Sequence, residues 1–163
     1  MAKAIVNLDY LKSVYVGRIF NVMADFEIEQ GSLVAIGDLV DGQREIYNPA
    51  AVTDATTEKV ALIASDEVNY DPRKAMWEDF TNEADYPAKA YELKENDVFT
   101  ISEDGFTGTP EVGKYLITAN GSLKGVIADD LTDGTAFAAK IIKLTTLGFN
   151  RTPAIRVQVV KNG

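Results

Sequence analysis

The sequence predicts a mainly β protein, a compact β-sandwich or small β-barrel with long loops and at most one or two short helices. Two observations carry this. Four Asx-Gly pairs, Asp41-Gly42, Asp104-Gly105, Asn120-Gly121 and Asp133-Gly134, supply the positive φ values that tight hairpin turns require. Between and around them lie about nine short runs rich in β-branched and aromatic residues. With 163 residues, 46% hydrophobic and 25% charged, the chain has the balance of a globular protein and is long enough for one sizeable core.

The runs, in order, are residues 14–22, 32–36, 59–64, 88–93, 97–102, 115–119, 123–128, 137–144 and 154–160. In the last, Ile155, Val157 and Val159 alternate with Arg156 and Gln158, which predicts one buried and one wet face. The unbroken apolar run Val60-Ala61-Leu62-Ile63-Ala64 predicts a strand covered on both sides. One stretch departs from the pattern: Asp71-Pro72 followed by helix formers reads as an N-cap, a first-turn proline and a short helix or irregular excursion. The expected organisation is an N-terminal arm and first strand over 1–22, then one β-rich domain over 23–163 with an insertion at about 68–87. Residues 1–9 are expected to be an arm or edge strand rather than core.

Chemistry is constrained mainly by what the chain lacks. It has no cysteine and no histidine, which removes disulfides, thiol nucleophiles, histidine bases and most transition-metal sites. No phosphate-cradling glycine motif and no activated serine arrangement is present. The acidic run Asp129 to Asp133 has three carboxylates but not the ligand order of a calcium loop, so it reads as a solvated turn. An enzyme using only carboxylates, a glycosidase or a metal-dependent hydrolase, is a third reading. The expectation is a non-enzyme with no catalytic residue, metal or cofactor.

The net charge of −9 repels phosphate backbones and argues against nucleic acid. No apolar run approaches a membrane span of about 20 residues, and the opening lacks a signal-peptide pattern, so no membrane partner and no secretion are expected. The charge is also segregated. Residues 23–135 hold 24 acidic and 8 basic residues, whereas residues 136–163 hold five basic residues and no acidic one. Lys3, Lys12, Arg18, Arg151, Arg156 and Lys161 therefore either neutralise the chain's own carboxylates or dock on an acidic partner surface. Tyr70, Trp77, Phe80 and Tyr86 in the acidic insertion either plug the end of the fold or contact a partner.

The stretches MAKAIVNLDYLKSVYVGRIFNV, GSLVAIGDLVDGQREIY, KAYELKENDVFTIS and GTAFAAKIIKLTTLGFNRTPAIRVQVV resemble small proteins of the head-gene clusters of tailed bacteriophages of Gram-positive hosts. The role this resemblance implies is an auxiliary head protein, a capsid decoration or cement protein. It implies the major capsid protein as partner, with self-association as a trimer or other oligomer. The location is then the capsid surface of the virion, with the host cytoplasm during assembly. A tail- or fibre-associated domain or a carbohydrate-binding sandwich is the competing reading, suggested by the β content and the clustered aromatics.

Overall fold

In the computed structural model the described residues are 2–69, 71–73 and 76–163. The fold is mainly β, with 42% strand and 7% helix arranged as two sheets. The first strand, β1 (Val6–Tyr10), is followed by a short helix α1 (Lys12–Val16) and then β2 (Ile19–Val22), β3 (Leu33–Leu39), β4 (Ile46–Ala50), β5 (Ala61–Ile63) and β6 (Ala88–Glu92). The second half holds β7 (Val98–Ser102), β8 (Phe106–Thr107), β9 (Tyr115–Ile117), β10 (Gly125–Ala128), β11 (Phe137–Leu147) and β12 (Thr152–Asn162). Strands β2-β4-β3-β5-β6 close into a small barrel, and β1-β7-β12-β11-β9-β10-β8 form a seven-stranded sheet.

The unbroken run at β5 has the physical role its composition predicts. Val60, Leu62 and Ala64 enter a core cluster shared with Phe99, Phe137 and Ile155 of the large sheet. Ala61 and Ile63 turn the other way, into a cluster with Val22, Val34 and Ala90 of the barrel. Successive residues of a strand point to opposite faces, so a strand lying between two apolar layers must be apolar throughout. On β12, Ile155, Val157 and Val159 are buried while Arg156 is exposed, as their alternation requires.

Several local expectations need correction. Residues 14–16 are helical rather than extended, despite their β-branched composition. Gly17, at φ 70°, ends this helix with its N–H donating to the Ser13 carbonyl. A distant carboxylate, Asp97, accepts the Lys12 N–H at the helix start. Tertiary capping here overrides local propensity. Strands β4 and β8 lie outside the runs that the composition marks as strands. β4 carries Asn48-Pro49, and β8 has only two residues.

The N-terminal segment is both an edge and a part of the core. β1 pairs with β7 alone, antiparallel, yet Ala4, Ile5 and Val6 are buried. Ile5 and Ser102 exchange hydrogen bonds: the Ile5 N–H donates to Ser102 Oγ at 2.8 Å and the Ser102 N–H to the Ile5 carbonyl at 2.9 Å. Asp104-Gly105 is not a positive-φ hairpin but the end of a 3-10 turn over Glu103–Gly105. The other three Asx-Gly glycines have φ between 71° and 76°. The Asp71 carboxylate accepts the Arg73 N–H and guanidinium in a local turn, and residues 74–75 of the expected helix lie outside the described residues. The described helical residues of the insertion are one 3-10 turn, Trp77–Asp79.

Candidate functional site

The longest hairpin positions the most distinctive surface feature. β11 and β12 pair along their whole lengths, but only Ala138–Lys140 of β11 meets β9 and only Ala154–Gln158 of β12 meets β7. The end of the hairpin therefore runs past the sheet, and its turn carries Phe149, 88% exposed, toward the 3-10 turn at Trp77. Met76, Trp77, Glu78, Gly148 and Phe149 line an open cleft of about 600 Å³. Trp77, the sole tryptophan, is 55% exposed there.

The side chain of Glu78 is unusual in this setting. The residue is 6% exposed, and its Oε1 is sealed from solvent with no hydrogen-bond partner. A neighbouring cation is available but is used elsewhere. The Lys3 N–H donates to the Glu78 carbonyl at 2.8 Å, while the Lys3 ammonium pairs with Glu29 at 3.5 Å. Gly148 fits only as glycine: its φ is 75°, and a Cβ there would come within 2.7 Å of Glu78 Oε1 and 2.8 Å of Ile5 Cδ1.

The described aromatics of the insertion are divided between two clefts. Phe80 is buried and Tyr86 exposed; both line a second, polar cleft of about 730 Å³ with Asp66, Asn69, Asn82 and Glu83. Tyr70 lies outside the described residues. Asn82 is fixed by donating to the Ile28 carbonyl at 2.9 Å and to Gln30 Oε1 at 3.2 Å, and Gln30 in turn donates to the Ser65 carbonyl. Partial burial beside this network raises the pKa of Glu67 above the ordinary glutamate value.

The basic residues do not converge on one patch. Arg151 lies in the turn just before β12 and Lys161 near its far end, about 30 Å apart at the usual strand rise. Lys3 pairs with Glu29, Arg18 with Glu92 at 3.8 Å and Arg156 with Asp9 at 3.6 Å. Lys12, Arg151 and Lys161 form no ion pair among the described residues. Two basic residues instead border an apolar ledge that sequence reasoning missed, because it took the segment for a strand. Tyr10, Val14, Tyr15, Val16 and Ile19 are all exposed, Tyr15 to 75%, and the Tyr10 and Tyr15 rings lie 5.9 Å apart. Lys12 and Arg18 are exposed within this segment.

The acidic run at 129–133 is internally occupied. Asp130 accepts the Thr132 N–H and hydroxyl, which holds its carboxyl below the usual range, and Asp129 pairs with Lys114 at 3.0 Å. No group of three or more metal-ligating side chains occurs among the described residues. No helix there is long and apolar enough to cross a membrane. No protein-family model, curated protein or solved structure matches the chain.

Proposed function

We propose that this chain is a non-enzymatic structural protein of a phage virion, a decoration protein that binds and stabilises the outer surface of the major capsid protein lattice. The observation that carries the reading is the apolar ledge from Tyr10 to Ile19. Clustered exposed apolar side chains, tyrosines above all, are the ordinary basis of protein docking. Lys12 and Arg18 within the ledge give it a basic character on a chain of net charge −9, which suits an acidic partner surface and would orient the encounter. The sequence resemblance to phage head proteins supplies the identity of the partner.

The test is co-sedimentation of purified protein with undecorated phage capsids. Saturable binding is expected, reduced at least tenfold in a Tyr10→Glu/Tyr15→Glu variant whose thermal melt is unchanged. Wild-type protein left wholly in the supernatant overturns the reading. A carbohydrate-binding role is the second reading, favoured by the polar cleft in which Tyr86 stands exposed beside Asn69, Asn82 and Glu83. A glycan-array signal abolished by Tyr86→Ala would establish that role instead.

A further inference from the structure

We propose that the Trp77–Phe149 cleft is a binding site for a guanidinium group, the side chain of an arginine presented by a partner protein. The proposal stands apart from the capsid reading, since it concerns different residues and a different chemistry. Three observations point to a cation of this shape. The first is Glu78, a residue that lines the cleft and is nine-tenths buried, whose carboxylate has no hydrogen-bond or ion-pair partner among the described residues and whose Oε1 is out of solvent. A buried carboxylate without donors is costly, and a charge-assisted hydrogen bond is the strongest way to satisfy it.

The second is the walls. Trp77 and Phe149 present exposed rings on the same cleft, and an aromatic face attracts a cation through its quadrupole. A guanidinium is planar and weakly hydrated, so it stacks on such rings and still offers a fork of N–H donors to a carboxylate. An ammonium has no flat face to stack. The third is that Lys3, the cation whose backbone bonds to Glu78, is directed away. Lys3, bonded through its backbone to Glu78, commits its side chain to Glu29, so the Glu78 carboxylate is left for an incoming donor.

An apolar side chain would cover the rings but leave the carboxylate without a donor. An anion would be repelled by it. Arginine satisfies both features at once.

Trp77 is the only tryptophan, so its fluorescence reports on this cleft alone. The probe is N-acetyl-arginine amide, whose size allows a Kd of roughly 1 mM by ordinary ligand efficiency. Titration to about tenfold above that value should give a saturable fluorescence change. N-acetyl-citrulline amide, equal in shape but neutral, should give less than a tenth of the affinity. Glu78→Gln keeps the shape of the side chain and should lose the arginine response, with its thermal melt confirming that it is folded; Phe149→Ala, at an exposed turn, should weaken the response several-fold. No saturable change with arginine, equal responses to arginine and citrulline, or full retention in a folded Glu78→Gln each overturns the proposal. None of these outcomes bears on capsid co-sedimentation.

Discussion

The carboxylate of Asp97 accepts the backbone N–H of Lys12 at 3.0 Å and that of Lys94 at 2.8 Å, tying the start of α1 to the turn before β7 across 85 residues of chain. Asp97 is 1% exposed, and its backbone carbonyl accepts the Val159 N–H of β12 at 2.8 Å. One side chain thus caps a helix, closes a turn and sits on the central sheet.

Removing that carboxylate should be costly. Hydrogen bonds to a charged group contribute about 1.5–3 kcal/mol each, and Asp97→Ala leaves two N–H donors without their acceptor. A loss of about 3–5 kcal/mol is expected in urea unfolding, with Asp97→Asn intermediate because its amide oxygen can accept only in part. A change under about 1 kcal/mol for the alanine variant would show that water replaces the cap.

Deleting residues 1–9 should unfold the protein or bring it close to unfolding. The deletion removes Ala4, Ile5 and Val6 from the core and leaves the paired edge of β7 open. Their burial is worth about 4–6 kcal/mol, a large share of the roughly 5–15 kcal/mol that holds a typical domain. Far-UV circular dichroism against temperature measures it; a truncated protein melting cooperatively within a few degrees of the full chain would make the segment a dispensable arm after all.

Ile101 is clasped between two glycines. A Cβ at Gly31 would lie 2.5 Å, and one at Gly105 2.4 Å, from Ile101 Cδ1. Gly105 has no positive φ, so Gly105→Ala tests steric crowding without backbone strain. It should cost about 1–3 kcal/mol. Combined with Ile101→Val, which deletes Cδ1, the cost should fall below the sum of the two single changes. Simple additivity would mean that Ile101 relieves the clash by rotating.

The stability of the wild type should carry a pH signature at Glu67. Its folded pKa is raised chiefly by desolvation, so the native state holds a proton that the unfolded state has already lost in the window just above the ordinary glutamate value. Stability from this group is therefore present below that window and is lost as pH rises through the folded pKa. Glu67→Gln removes the titration, so the melting temperature of the variant relative to wild type should rise between about pH 4 and pH 7. A constant difference across that range would sink the assignment.

Much of the β architecture was readable because its signals are local. Period-two alternation placed the buried face of β12, and the unbroken apolar run at β5 identified a strand between two layers. The aromatic insertion was also visible as a departure from the pattern. Its division into two clefts was not, because no feature of residues 68–87 indicates that Phe149 stands beside Trp77 while Tyr86 faces Asn82. The apolar ledge was hidden for a related reason: Val14-Tyr15-Val16 has strand composition, whereas the helix it forms is capped at its start by the carboxylate of Asp97, 85 residues away.

By itself the sequence determined the fold class, the strand-forming segments and most turn positions, since alternation, β-branching and positive-φ glycines act over a few residues. It also determined the absence of histidine and thiol chemistry. Tertiary structure alone decided that Arg156 meets Asp9 and that Glu78 Oε1 lies buried against Gly148 with no hydrogen-bond partner among the described residues. These relationships depend on which strands pair and in what register, and register is set by the sum of many distant contacts rather than by any short stretch of residues.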